Sequence, residues 1–239
     1  MLPMLQEAGL DSINFSLHTL DPNAFLKLQK RSLHINNSIN WAEECIYRTV
    51  KNILSSNKIL NTKINCVVGL DTDSAQKVID FCIKENVKLR LLNDLSLGDI
   101  ALNNIKKLLK NNNAELIGHE ITLISSSHRL DYKIGKYKFG VKCIRQFFLD
   151  SCCSDCSYMS TKKCLEGFYG IRLESSPLMV RLCLNKGGPP YVQDFRKFII
   201  SKQYHEISSM TRIVAEYLKK DAVIAEQREI LKHLKNKLL

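Results

Sequence analysis

No run of eighteen apolar residues occurs in the sequence. A helix needs about that length to cross a bilayer, so no membrane span is expected. The N-terminal residues Met1-Leu2-Pro3-Met4-Leu5-Gln6-Glu7 lack a basic start and are already amphipathic. That argues against a secretory leader and for a cytoplasmic protein. Arginine is scarce, and aromatics are not interleaved with the basic residues. The net charge of +11 is carried mainly by lysine, amid abundant isoleucine and asparagine, as in Ile105-Lys106-Lys107 and Asn111-Asn112-Asn113. A general residue bias explains this charge better than a nucleic-acid partner does. There is no internal repeat and no long linker of low complexity. At 239 residues, 45% of them hydrophobic, the chain is long enough for one large domain or two small ones with a real core.

Cysteine is what the chain has in excess, with nine residues and no secretory signal to make disulfides the default. Cys45, Cys66, Cys82 and Cys143 each lie within an apolar stretch and read as small hydrophobes. The other five crowd into the segment from Cys152 to Cys183, as Cys152-Cys153-Ser154-Asp155-Cys156 followed by Cys164 and Cys183. A C-x2-C pair brings two thiolates close enough to share a metal, and two more from a loop and a hairpin complete a set of four. Such a set suits tetrahedral zinc or a [4Fe–4S] cluster. Zinc sites favour two tight pairs, and the irregular spacing here leans toward iron–sulfur. Adjacent Cys152 and Cys153 do not easily ligate together. Cys153 completes the C-x2-C pair, so the candidate ligands are Cys153, Cys156, Cys164 and Cys183.

The first third reads as strands alternating with helices. A short helix over Pro3–Ala8 closes at Gly9. Strands are expected at Ser12–Leu17, Thr62–Val68 and Val87–Leu92. Between them lie a helix with Ile39, Ala42, Ile46, Val50, Ile53 and Leu54 on one stripe, and a helix opened by a capping box of Asp73 and Gln76. This order predicts right-handed βαβ units and a parallel sheet. Residues 100–118 read as one further helix. Alternation around Gly135-Lys136 predicts a hairpin, Gly170–Glu174 is expected to pair with Met179–Leu184, and the chain beyond Pro190 reads as helical to its end.

A parallel strand buried on both faces is apolar throughout, yet these three each carry a polar side. Asn14, Ser16 and His18 share one face, Lys63 and Asn65 another, Lys88 and Arg90 a third. Either the sheet lies open to water on that side or it lines a wet cavity. In the second case Lys63 and Arg90 make the cavity suited to a carboxylate or phosphate.

Several stretches together carry a family resemblance. Glu7-Ala8-Gly9-Leu10-Asp11-Ser12-Ile13-Asn14-Phe15-Ser16-Leu17-His18-Thr19-Leu20-Asp21 resembles the "EAGLDRINVSLDSLD" segment of the molybdenum-cofactor GTP 3′,8-cyclases, a radical S-adenosylmethionine (SAM) family. Thr62–Val68 is similar to its "VKINVV" strand, Leu89-Arg90-Leu91-Leu92 to its "LRFIE" strand, and Arg181-Leu182-Cys183-Leu184 to its closing "LRPCL". The resemblance covers about residues 1–185. It implies an α/β fold, a partial (β/α) barrel at 1–118, an auxiliary cluster region at 119–190 and a helical segment at 191–239. It implies SAM contacts at Ser16 and, through the backbone, near Leu95. It also implies a phosphate contact at Lys63 and cluster ligation by Cys153, Cys156, Cys164 and Cys183.

The departures are as specific as the matches. The family has three auxiliary cysteines, where this chain has an additional one with different spacing. Its C-x2-C is followed by arginines that hold GTP, where Ser157-Tyr158-Met159 stand here, with Arg172 further on. The family's C-x3-C-x2-C triplet, which holds the SAM-cleaving cluster, has no counterpart in the sequence. The expected protein is therefore a fragment of a radical SAM enzyme without its front end. It would carry a [4Fe–4S] cluster, act on a small-molecule or peptide substrate and not cleave SAM by itself. The alternatives are a non-catalytic iron–sulfur module and a zinc-stabilised binding domain, for nucleic acid in one version.

Overall fold

The structure, a computed structural model, describes residues 2–29, 38–144, 147–160, 164 and 166–237. The chain forms two compact units. The first comprises Met1–Ile121 and His128–Ile144, the second Thr122–Ser127 and Arg145–Leu239. No helix among the described residues is long and apolar enough to cross a membrane.

The first unit is an α/β layer. Helix α1 (Leu2–Glu7) ends at Gly9, whose φ of 91° needs no Cβ, and leads into strand β1 (Ser12–Ser16). Then follow α2 (Pro22–Gln29), α3 (Ile39–Asn57), β2 (Asn61–Val68), α4 (Thr72–Lys84), β3 (Lys88–Asn93), a 3-10 turn at Leu95–Leu97 and α5 (Asp99–Asn111). Strands β4 (Glu115–Ile121), β5 (Ser127–Ile134) and β6 (Tyr137–Ile144) complete a six-stranded sheet of order β1-β2-β3-β6-β5-β4. β1, β2, β3 and β6 are parallel neighbours, while β4 and β5 pair antiparallel. The βα units expected from the alternation are present, within a mixed sheet.

Two local readings are corrected. The side chain capping α4 is that of Asp71, which accepts the Ser74 N–H, and not that of Asp73. The helix read over 100–118 stops at Asn111. Asn113 takes a φ of 50°, a left-handed stop that asparagine tolerates, and β4 follows. The hairpin expected around Gly135-Lys136 is present as β5 and β6 and is built into the first unit's sheet.

One face of the parallel strands is almost wholly apolar. Ile64, Cys66, Val68, Leu89, Leu91 and Val141 meet Ile53 of α3, Val78, Ile79 and Cys82 of α4, and Ile105 and Leu108 of α5. Cys66 and Cys82 are 0% exposed, and burial lifts each thiol to about 12. They are the inert small hydrophobes expected. Cys45 and Cys143 are only partly buried.

The second unit has its own core of Leu149, Cys152, Phe168, Val180, Leu182 and Phe198. Short helices α6 (Asp150–Cys153) and α7 (Ser157–Ser160) precede a three-stranded sheet of β7 (Arg172–Glu174), β8 (Met179–Arg181) and β9 (Val192–Asp194). β7 and β8 pair as expected. β9 stands where the sequence pattern predicts helix alone, beyond Pro190. Helices α8 (Phe195–Phe198) and α9 (Lys202–Lys237) end the described chain, and residues 238–239 lie outside it.

Gly167 sits at a φ of +68°, and its N–H points to the Cys164 sulfur at 3.4 Å. A Cβ there would lie 2.7 Å from Ser126 Oγ and closer still to the Phe147 carbonyl oxygen. Gly167→Ala is therefore expected to cost about 2 kcal/mol or more, combining left-handed strain with a backbone clash. Urea denaturation checks this, and an unchanged midpoint would contradict the tight packing described.

Candidate functional site

The alternation of β1, β2 and β3 leaves one sheet face polar, and the register aligns its side chains in rows. Asn14 stands beside Lys63 and Lys63 beside Lys88; Ser16 stands beside Asn65, Asn65 beside Arg90, and Arg90 beside Gly140 of β6. On this face lies a cavity of about 440 Å³ whose lining includes Lys63, Lys88, Arg90, Arg129, Lys138 and Asp131. Five cations thus surround one carboxylate, which is bound to Arg129 at 2.8 Å. Lys63 is held below the usual lysine range, first by burial and then by the charges of Arg90, Arg129 and Lys88. The Asn65 Oδ1 is shielded from solvent with no hydrogen-bond partner among the described residues. Such an orphan acceptor costs about 1–3 kcal/mol.

Lys63 and Arg90 were read from the strand pattern and do share this cavity. Arg129 and Lys138 are not among the sequence candidates, which come from the polar faces of the three expected parallel strands alone. The signal was there in the alternation of Tyr137 and Phe139 with Lys138.

A second cavity, of about 430 Å³, lies past the carboxyl ends of the parallel strands, where α/β folds commonly bind ligands. His18, Thr19, Gly69, Asp71, Ser74 and Asp94 contribute to its lining. His18 Nδ1 accepts the Val67 N–H at 3.1 Å, so the neutral ring carries its proton on Nε2, and burial lowers its pKa. Asp71 accepts the Ser74 hydroxyl at 2.7 Å, and Ser74 in turn meets the Thr19 hydroxyl at 2.8 Å. These bonds from Ser74 hold Asp71 below the usual carboxylate range. Ser16 is exposed on β1, and Leu95 opens the 3-10 turn. Both lie outside the two linings, although Leu97 of the same turn belongs to the second.

In the second unit Cys152, Cys153, Cys156, Cys164 and Cys183 all line one small cavity of about 20 Å³, together with Tyr158, Lys186 and Tyr191. A turn closed by the Cys156 N–H on the Cys153 carbonyl joins the C-x2-C pair, and the Cys164 N–H bonds the Tyr158 carbonyl. The Gly167 N–H points at the Cys164 sulfur at 3.4 Å. Cys152 belongs to the apolar core and aims its S–H at the Pro190 carbonyl at 3.8 Å, while Cys153 is half-buried. Burial, then the neighbouring thiols, pushes Cys152 up to about 12; burial foremost pushes Cys153 to about 11. A bound cation inverts that balance and deprotonates the sulfurs. The donor set fits a thiophilic metal in kind. Among the described residues, however, no three His, Cys, Asp or Glu side chains stand close enough to hold one ion.

The chain is 33% identical over 112 residues to the mitochondrial GTP 3′,8-cyclase of Arabidopsis thaliana. The match takes in 45% of this chain and 25% of that protein. The two are distant relatives over this part. No family model matches the chain, and no solved structure matches it.

Proposed function

We propose that this protein is a partial relative of the radical SAM cyclases. In this reading an anionic, phosphate-bearing small molecule binds the cation-lined cavity, and a [4Fe–4S] cluster binds Cys153, Cys156, Cys164 and Cys183. The observation that carries the reading is the convergence of five thiols, from Cys152 to Cys183, on one cavity. The likeness to a GTP 3′,8-cyclase supports it, and so do the five cations, Lys63 among them, that line the first cavity. When bound, a thiolate-held cluster supplies one-electron transfer.

The chain's own residues do the rest. Lys63, Lys88, Arg90, Arg129 and Lys138 attract and orient the anion. The Gly167 N–H orients the Cys164 sulfur. Ser16 and the backbone near Leu95 are the proposed contacts for SAM. A link to molybdenum-cofactor biosynthesis follows from the relative's name, with GTP itself left open because Ser157-Tyr158-Met159 replace the family's arginines.

A zinc-binding, non-catalytic module is the second reading. The cavity's small volume, about 20 Å³, favours a single ion over a four-iron cube. Metal analysis of anaerobically purified protein decides between them. Iron with matching labile sulfide supports the cluster, zinc without iron supports the alternative, and neither metal defeats both.

A further inference from the structure

We infer that Glu206, in the first turns of α9, is the positioning residue of the cysteine cavity. This rests on the reading that the cavity's thiols hold a metal. Helix α6, which carries Cys152 and Cys153, has only four residues, and its N-cap Leu149 offers no capping side chain. The first N–H groups of any helix need acceptors from elsewhere. Glu206 supplies both. Its Oε1 accepts the Asp150 N–H at 2.7 Å, its Oε2 accepts the Ser151 N–H at 2.9 Å, and the Ser151 hydroxyl also donates to Oε2.

Gln203, one turn earlier, completes the clamp. Its Nε2 donates to the Ser151 carbonyl at 2.8 Å, and its Oε1 accepts from Gln193 Nε2 at 3.2 Å. Gln193 Nε2 also bonds the Pro190 carbonyl at 3.0 Å, the same oxygen that meets the Cys152 S–H. Gln203 and Gln193 are 7% and 8% exposed, so these bonds are shielded from water. α9 thereby grips the cysteine helix from its backbone ends and braces the Pro190 side of the cavity. Charge-assisted bonds of this kind are about twice as strong as neutral ones. The carboxylate is the geometry-setting group, and the thiol direction of Cys153 depends on it.

The test uses the full chain without metal, with site-resolved alkylation by iodoacetamide read by mass spectrometry. Glu206→Ala is expected to speed alkylation of Cys153 about tenfold, the factor implied by losing one hydrogen bond to a charged group. Glu206→Gln keeps one acceptor oxygen and should fall between it and the native chain. Cys183, which follows β8 and is not carried by α6, should change by less than about twofold, since local opening leaves other segments closed. A general destabilisation would raise both rates together and overturn the assignment, as would an unchanged Cys153. A second measurement follows metal release to a chelator, which should quicken in the same order, Ala then Gln then native. If the native chain retains no iron or zinc, the metal reading fails while the alkylation series still decides the clamp.

Discussion

Replacing Cys156 by serine is expected to strip bound metal from the protein and to collapse the chelator-sensitive part of its thermal stability. Cys156 is 7% exposed, follows the turn that starts at Cys153, and has no spare thiol beyond it on the same segment. A thiolate-bound ion contributes about 10 kcal/mol or more of folding free energy in small metal domains. The second unit's core has only six buried side chains among the described residues, so the metal is expected to carry much of its stability. Cys152→Ala is the matched control. Its sulfur belongs to the apolar core, so the variant should keep its metal and lose roughly 1 kcal/mol, the worth of one buried apolar group. Metal content and melting curves with and without chelator are the measurements. Full metal retention by Cys156→Ser, or complete loss in Cys152→Ala, would mean that the ligand set has been assigned to the wrong sulfurs.

The second large effect concerns Lys63. Lys63→Met is expected to weaken binding of pyrophosphate by about 1.5–3 kcal/mol, the range for hydrogen bonds to charged groups. The same substitution should stabilise the ligand-free fold at neutral pH. Burial and the nearby charges of Arg90, Arg129 and Lys88 lower the pKa of Lys63 in the folded chain. A lysine with a depressed folded pKa penalises folding fully below that value. The penalty fades as pH rises from the folded toward the unfolded pKa. Methionine removes it throughout, so its advantage is greatest at neutral pH and disappears in alkali. Calorimetry at low and high salt reads the affinity, and urea denaturation from neutral to alkaline pH reads the stability. Equal affinity in both proteins would separate this cavity from anion binding.

The parallel strands were legible because their period of two survives burial on one face and wetting on the other. The apolar residues Ile64, Cys66 and Val68 alternate with Lys63 and Asn65 in the sequence and in the fold alike. β4 was not legible, because nearly all of its residues are exposed and so impose no alternation. The end of α5 was signalled by its asparagines, but a Lys- and Asn-rich composition hides such a stop among residues that recur everywhere. For the cysteines, spacing marked the C-x2-C pair. The approach of Cys164 and Cys183 depends on the Gly167 turn and on the β7–β8 pairing, which spacing does not encode. Glu206 lies 55 and 56 residues beyond the two residues it caps, and a lone glutamate in a long charged helix carries no local mark of that role.

The second unit draws on two separated stretches of chain, and this limits how the protein can be dissected. Ser126 lies before β5, yet its N–H bonds the Phe168 carbonyl at 2.7 Å, and its Oγ exchanges bonds with the Phe147 backbone at 3.1 Å. Ser125 adds a bond to the Tyr169 carbonyl. No single cleavage point therefore releases the cysteine half intact. A truncation beginning after β6 leaves those Phe147, Phe168 and Tyr169 groups without their partners, and one beginning at Thr122 drags along two strands of the other sheet. During synthesis the six residues from Thr122 to Ser127 must wait, about twenty residues and more, for the segment that completes their half.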